Sequence, residues 1–297
     1  MQIEPGDKLY PASSQNPRLF IARSGSEPSA DSAENAPPLT EQQAIVNLQC
    51  SDLSLRYYAA WWLGKFRVNS TQAVDALIVA LEDEADRTEL GGYPLRRNAA
   101  RALGKLKDNR AVLGLIKCLE CSDFYVREAA AQSLEMLGDA RATPALLKLL
   151  DGGVAAAVQV PGRPHLTQPY EAVLEALGAI GATVAIDIIQ PFLEHSVIKV
   201  QCAAARAMYQ LTSKPEYGEH LVQVLQNGDL KLRRMALSDL GAIGYMAAAD
   251  KIAIASVENS FKLIALKGLL EHQLKDTDTS ILNNDTIKLM QIMDSLL

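Results

Sequence analysis

The chain repeats one pattern seven times, and this repetition restricts the possible folds more than any other feature. LRRNAARALGKL and VREAAAQSLEML, for example, carry small residues and a leucine at matching positions, and a short break and a second apolar segment follow each of them. The copies begin at Leu55, Leu95, Val126, Pro169, Val200, Leu232 and Phe261. Their base period is about 31 residues, which is the size of a repeating helix pair.

The same kinds of residue occupy equivalent positions in the copies. Alanines recur at Ala59, Ala99, Ala130, Ala204 and Ala236, and a leucine or methionine follows each of the five at a distance of four residues. In an α-helix, this spacing puts both residues on one face. One pair of short helices cannot bury such a face alone, whereas stacked pairs bury it continuously. The sequence therefore predicts an all-α fold, an α-solenoid of helix pairs, whose extended surface binds a partner.

Three segments depart from the repeat. Residues 1–38 include SGSEPSADSAENAPP, which has no large apolar side chain to bury, and this composition predicts a disordered tail. The solenoid is then expected over residues 39–297. Two gaps between copies are longer than the period, and they predict insertions near residues 84–94 and 153–168.

The composition argues against several classes of protein. A net charge of −6 and a pI of about 5.3 leave no basic surplus for phosphates, so no nucleic-acid partner is expected. The apolar runs are too short for a membrane span, and no signal pattern is visible, so a cytoplasmic location is expected. Four cysteines in 297 residues do not form a disulfide framework.

An aspartate followed four residues later by an arginine recurs at the start of several copies. The three pairs are Asp52 and Arg56, Asp123 and Arg127, and Asp229 and Arg233. One interpretation is a row of cations for an anionic ligand. The other is a series of N-caps and salt bridges that ties neighbouring repeats together. The second is favoured, because aspartate is a preferred N-cap and recurs in register with each arginine.

Three segments closely resemble the E subunits of the E/F-type phycocyanobilin lyases, a family built of HEAT-like repeats. They are YYAAWWLGKFRV, GGYPLRRNAARALGKL and VPGRPHLTQPYEAVLEALGAIG. The resemblance covers roughly residues 39–280, and the double tryptophan and the GRPHLTQPYEA insertion are its most specific parts. It implies a HEAT-like α-solenoid that acts as a lyase together with an F-type subunit.

The resemblance also implies a substrate and an acceptor. Phycocyanobilin, a linear tetrapyrrole with two propionates, would be bound as substrate and attached through a thioether to a cysteine of the phycocyanin α chain, with no permanently bound cofactor. Since the nucleophile belongs to the acceptor, this chain must supply shape, orientation and protonation. An acid near the pyrrole nitrogens would keep the bilin electrophilic, and arginines would hold its propionates.

Aromatic residues of the first copy are candidates for contact with the bilin or the partner subunit. Trp61 occupies a position that is mostly polar in the other copies, so we expect a functional role for it. Trp62 replaces small residues of the other copies, so we expect it mainly in the core, as a cap on the first repeat. Tyr57 and Tyr58 belong to the same helix and are able to stack or donate hydrogen bonds.

Further candidates lie in the second copy and in the second insertion. Tyr93 is a further candidate for contact with the bilin or the partner subunit. Arg97 and Arg101 share a helical face downstream of it, and they are propionate candidates against the alternative of solvated charge. The proline-rich insertion contributes Arg163, His165 and Tyr170. His165 is a weak candidate for proton transfer, since a histidine in a loop is more often simply solvated.

Two patterns that suggest metal sites are discounted. Cys118 and Cys121 form a CxxC motif without a second ligand pair, and Cys118 lies in an apolar run that predicts burial. Glu-His dipeptides recur, but their spacing does not follow the repeat period. No metal is therefore expected.

Two other functions stay open at this point. The chain could be a sister lyase that isomerises its bilin or serves another phycobiliprotein, and the absorption maximum of the product would separate this from the first reading. It could also be a non-catalytic HEAT-like scaffold or adaptor of phycobilisome assembly or degradation. Such a scaffold would bind the antenna protein without modifying it.

Overall fold

The computed structural model describes residues 39–275 and 283–297, and within these ranges the regular structure is helical apart from one isolated β-bridge. The predicted tail at residues 1–38 lies outside the described residues. The α-solenoid predicted from the repeats is confirmed, because each of the seven copies forms a first and a second helix.

A short helix, α1 (Glu41–Asn47), precedes the pairs. The first helices are α2 (Leu53–Lys65), α4 (Pro94–Leu106), α6 (Phe124–Leu137), α9 (Tyr170–Ile180), α11 (Ile198–Thr212), α13 (Leu230–Ile243) and α15 (Asn259–Lys275). The second helices are α3 (Thr71–Ala80), α5 (Val112–Cys118), α7 (Thr143–Lys148), α10 (Ile186–Ile189), α12 (Pro215–Asn227), α14 (Ala249–Ile254) and α16 (Asn284–Asp294). One further short helix, α8 (Gly153–Ala156), opens the second insertion.

The first helices pack against one another in chain order and form a continuous row, called here the inner row. Glycines permit the close approach: a Cβ atom on Gly104 would lie 2.8 Å from the Cα of Ser133, and one on Gly178 would lie 2.5 Å from the Cα of Ala207. The second helices of neighbouring pairs contact one another less.

The recurring small and leucine positions form the core, as the spacing predicts. Ala59, Ala99, Leu63 and Leu103 are fully buried, and so is Leu134. Close packing of this kind makes each leucine expensive to truncate, because the cavity left behind adds to the lost transfer free energy.

The three repeated aspartates cap their helices. Asp52 accepts a hydrogen bond from the Ser54 N–H at 2.8 Å, and Asp123 and Asp229 accept equivalent bonds at the starts of α6 and α13. The arginines do not pair with these caps: Arg56 donates to the Leu48 carbonyl at 2.9 Å and pairs with Asp83. The N-caps of this interpretation are therefore confirmed. Of the three arginines only Arg56 forms a salt bridge within the described residues, and its contacts join segments before and after its own helix.

No helix within residues 39–275 and 283–297 combines the length and the apolar character that a membrane span requires.

Candidate functional site

The second insertion folds into a tight hairpin between α8 and α9. Gln159 and Leu166 form an antiparallel bridge, and the Val160 N–H donates to the His165 carbonyl at 3.1 Å. The tip is a turn closed by a bond from the Arg163 N–H to the Val160 carbonyl, with Gly162 at a φ of +70°. A proline followed by a glycine of positive φ is typical of a type II turn. The hairpin therefore has a defined shape that fixes the position of His165.

The base of the hairpin is fastened to the solenoid. Arg127, from the Asp-Arg series, donates to the Gln168 side chain at 2.9 Å and to the Thr167 carbonyl at 3.2 Å. The buried imidazole of His195 lies 3.0 Å from the Ala157 carbonyl. An arginine of the repeat series thus holds the insertion in place.

The hairpin, α6, α9 and the start of α11 enclose a cleft of about 340 Å³. The side chains on which its chemistry depends are Phe124, Tyr125, Glu128, His165, Glu171 and Lys199. The His165 ring stacks on Phe124 with ring centres 4.0 Å apart and planes 11° apart, and Tyr125 meets it edge-on at 5.9 Å. One wall is therefore a flat aromatic surface, which suits a conjugated ligand.

The hydrogen bonding of His165 determines which ring nitrogen carries the proton. Nδ1 lies 2.8 Å from the Leu166 carbonyl oxygen. A carbonyl oxygen only accepts, so Nδ1 carries the proton in the neutral ring and Nε2 is left as an acceptor.

Two carboxylates, Glu128 and Glu171, line the cleft. Burial raises the pKa of both, and nearby positive charges oppose the shift: Arg101 and Arg97 in the case of Glu128, Lys199 in the case of Glu171. Among the residues that the structure describes, neither carboxylate has a hydrogen-bond or ion-pair partner. Both are therefore available to a ligand.

The cations near the cleft are also without carboxylate contacts. The Arg97 guanidinium lies over the Tyr125 ring at 5.9 Å, and its buried Nε has no partner in the described part of the chain. Arg101 is exposed one turn further along α4, and Lys199 lines the cleft from α11. Within the same described residues, none of the three makes an ion pair. They form a basic rim that is able to bind carboxylates.

The residues of this site share one register of the repeat. Tyr57, Arg97, Glu128 and Glu171 are the third residues of the first four copies, and they follow one another along the inner row. The order is aromatic, basic, acidic, acidic. Sequence reasoning missed Glu128 and Glu171, although the aligned copies place them in the column of Arg97.

The aromatic residues of the first copy form a separate cluster on α2. Trp61 and Tyr57 are each 38% exposed, and the Tyr58 ring lies 5.4 Å from Trp61. Trp62 is half-buried against the core and lies 5.0 Å from Phe66. The helix α4 lies between α2, which carries this cluster, and α6, which lines the cleft, so the axes of α2 and α6 are roughly 16–20 Å apart. The functional role of this cluster stays a prediction.

Two predicted site residues lie in the packed interior. Tyr93 is 7% exposed, with the Arg96 guanidinium 4.3 Å from its ring centre. Tyr170 is 2% exposed, and its ring lies 5.6 Å from Phe192. These positions give both rings a structural task, and their predicted ligand contacts stay untested predictions. Arg163 is exposed at the hairpin tip.

A second charged group lies on the same helices and is called here the Arg206 hub. Arg206 pairs with Glu135, and its Nη1 lies 3.5 Å from Glu175 and 3.4 Å from Asp239. All four side chains are largely or fully buried. Burial raises the pKa of Glu175 and of Asp239, and Arg206 opposes the shift. One arginine thus connects α6, α9, α11 and α13.

Two of the four cysteines, Cys118 and Cys202, are buried like structural residues, and Cys50 and Cys121 are partly exposed. Burial raises the pKa of Cys118 and of Cys202 to about 12. A thiol with such a pKa is protonated near neutrality and is a poor nucleophile. Within residues 39–275 and 283–297, no group of three or more histidine, cysteine, aspartate or glutamate side chains is arranged to hold a metal ion.

Comparison with protein-family profiles finds two kinds of repeat. The profile described as HEAT repeats matches residues 93–159. The profile described as PBS lyase HEAT-like repeat matches residues 55–83, 169–195 and 200–227. The matched segments coincide with the helix pairs and include α6, α9 and α11 of the cleft.

Similar proteins carry one recurrent description. A phycocyanobilin lyase subunit alpha of Nostoc sp. is 73% identical over 91% of this chain and 99% of its own length. Another from Microchaete diplosiphon is 64% identical over 87% of this chain and 90% of its own. The bilin biosynthesis protein PecE of Mastigocladus laminosus is 46% identical over 88% of this chain and 96% of its own length.

A solved structure agrees with these relatives. The complex of CpcE and CpcF of phycocyanin lyase from Nostoc sp. contains a chain that is 72% identical, with a TM-score of 0.84 over 93% of this chain and all of that one. Identity at this level over nearly the whole length of several relatives shows common descent and a common fold. This chain therefore belongs to the HEAT-like family of phycocyanobilin lyase alpha subunits.

Proposed function

We propose that this chain is one subunit of a heterodimeric bilin lyase that binds phycocyanobilin and promotes its thioether attachment to a cysteine of the phycocyanin α chain. The main support is the 73% identity to a phycocyanobilin lyase subunit alpha along 99% of that relative. The similar chain in the solved complex is accompanied by CpcF, so an F-type subunit is the partner. We also propose that the chain acts in the cytoplasm.

The cleft beside the hairpin is the proposed bilin site. A linear tetrapyrrole offers a flat conjugated face, two carboxylates and several ring N–H groups. The cleft offers the stacked rings of His165 and Phe124, the cations Arg97 and Arg101 at its rim, and carboxylates within it. Each part of the ligand thus meets a group of complementary chemistry.

The state of the two buried thiols supports the proposed division of labour. The buried Cys118 and Cys202 are protonated near neutral pH, because burial raises the pKa of each to about 12. The attacking sulfur is instead that of the acceptor protein. This chain orients the bilin and adjusts its protonation, which lowers the barrier through positioning and general acid catalysis. Phycocyanobilin is a substrate here and leaves with the product.

Reconstitution tests the proposal. This chain, its F-type partner, phycocyanobilin and bilin-free phycocyanin α chain are combined, and covalent bilin is measured by the visible absorbance of the acid-denatured α chain. We expect transfer with both subunits and little with either alone. Full-rate transfer by this chain alone would contradict the subunit assignment, and binding of the α chain without any transfer would indicate a scaffold.

The same product spectrum tests a second candidate function. The 46% identity to a bilin biosynthesis protein PecE favours a sister lyase as the alternative. An attached bilin with an absorption maximum different from that of authentic phycocyanin α chain would indicate an isomerising enzyme. We expect an unchanged chromophore, because the identity to the alpha subunits reaches 73%.

A further inference from the structure

Glu128 is surrounded by charged groups from every element that packs around the cleft, and none of them contacts it within the described residues. The groups that face it are Arg97 and Arg101 on α4, His165 on the hairpin, Glu171 on α9 and Lys199 on α11. Glu128 is therefore partly buried, has no hydrogen-bond partner within the described residues, and lines the cleft. This combination is typical of an acid–base group in an active site.

The order of charges along the inner row gives the bilin one orientation. In the two pyrrole rings that carry a propionate, the nitrogen and the propionate-bearing carbon lie on opposite sides of the ring. Propionates held by Arg97 and Arg101 on α4 would therefore turn the ring nitrogens away from α4, toward the helix that follows. The first carboxylate on that side is Glu128 on α6, and Glu171 lies one helix further along.

We propose that Glu128 is the acid that protonates a ring nitrogen of the bound bilin before the thiol adds. This assignment rests on the proposed function and identifies the acid for it. Burial raises the pKa of Glu128, which keeps part of its carboxyl protonated nearer to neutrality than an exposed glutamate. The cleft holds a second carboxylate, Glu171, and the negative charge of Glu128 helps to raise the pKa of Glu171.

The step balances without an oxidant or a reductant. The Glu128 carboxyl gives its proton to an imine-type ring nitrogen, and the bilin becomes a cation. The acceptor's sulfur then forms a bond to the ethylidene carbon, and the π pair of that double bond moves into the conjugated system and cancels the charge. The proton lost by the thiol returns to the Glu128 carboxylate through water. The net result is the addition of S and H across the bilin.

The test is a spectroscopic pH titration of phycocyanobilin bound to the heterodimer in the absence of the α chain. A protonated linear tetrapyrrole absorbs at longer wavelengths than the neutral form, so the spectrum reports protonation directly. For Glu128→Gln we expect the apparent pKa of the bound bilin to fall by at least about one unit, and the transfer rate to fall about 100-fold or more. Glu128→Asp should recover part of both.

Glu89→Gln is the matched control, because Glu89 is exposed and makes no ion pair in the described part of the chain. Circular dichroism and thermal unfolding establish that the variants are folded, and Glu128→Asp keeps the test informative if the glutamine variant is not. A bound bilin that titrates in Glu128→Gln as in the unmodified chain overturns the proposal, whatever the affinity. Absence of transfer by the unmodified heterodimer would instead overturn the proposed function.

Discussion

The Arg206 hub and the cleft around Glu128 use the same helices and the same kinds of residue, but in opposite states. In the hub, one arginine contacts three carboxylates, those of Glu135, Glu175 and Asp239. In the cleft, two carboxylates and three cations lie near one another, and within the described residues none of them forms an ion pair.

The difference indicates two tasks. A buried charge network whose members contact one another ties its elements together, and removing one member leaves the others uncompensated. Buried or half-buried charges without partners keep their desolvation cost until a ligand meets them. The hub is therefore a structural fastening of four helices, and the cleft is ready for a ligand that carries both N–H groups and carboxylates.

The largest expected effect comes from breaking the hub. Arg206→Met leaves the buried acidic side chains of Glu135, Glu175 and Asp239 without their cation, and we expect the free energy of unfolding to fall by about 3–5 kcal/mol. Urea unfolding at pH 7.5 measures it. Arg110→Met is the matched control, because Arg110 also pairs with two carboxylates, Asp108 and Asp75, but at the surface. If both variants lost the same free energy of unfolding, the buried ion pairs of Arg206 would contribute no more to stability than the exposed pairs of Arg110.

The pH dependence of stability sharpens the same contrast. Burial raises the pKa of Glu175 to about 8 from an ordinary 4.5. The folded state then binds a proton more tightly than the unfolded state, so the stability from this group is complete below about pH 4.5 and is lost as the pH rises toward 8. Glu175→Gln should flatten the decline in the free energy of unfolding over that window, which amounts at most to about 1.4 kcal/mol per pH unit for one proton.

Urea unfolding at half-unit pH steps measures this slope. Glu216→Gln, an exposed change on α12, is the control and should leave the slope unchanged. A slope in Glu175→Gln equal to that of the unmodified chain would mean that Glu175 is charged in the folded hub throughout.

Removal of cations from the cleft should weaken bilin binding and hardly change the stability of the fold. Arg97→Gln combined with Arg101→Gln removes the proposed propionate contacts. We expect bilin affinity of the heterodimer to fall about 10- to 100-fold, which corresponds to about 1.4–2.7 kcal/mol, while thermal unfolding changes little. Arg141→Gln, at an exposed pair with Asp139, is the control. If the double variant kept the affinity of the unmodified heterodimer, Arg97 and Arg101 would not be part of the bilin site.

The repeat architecture could be predicted from the sequence because its cause is local. A leucine four residues after an alanine, an aspartate at each helix start and a short period are properties of neighbouring residues, and the buried Leu103 and the cap at Asp52 agree with them. The partners of the charges are not local. Glu135 and Arg206 pair across 71 residues, and no spacing in the sequence indicates this contact.

The site was predicted only in part for a related reason. Arg97, Arg101 and His165 were chosen for their residue types, and the structure brings them to one cleft. Glu128 looked like one more polar residue of a helix, because its lack of a partner is visible only when α4, α9 and the hairpin are packed around it. Tyr93 and Tyr170 were chosen as aromatic residues beside an insertion, and the sequence did not indicate that both would be buried in the core.

The smallest expected change in stability concerns the extent of the site toward α2. Trp61→Ala should lower the free energy of unfolding by less than about 1 kcal/mol, since the side chain is 38% exposed, whereas Trp62→Ala should cost more because Trp62 packs against the core. If the bilin site extends along the inner row from the cleft to the first repeat, Trp61→Ala should lower the rate of bilin transfer several-fold with little change in stability. A full transfer rate in this folded variant would confine the site to the cleft and leave the first-repeat aromatic cluster outside it.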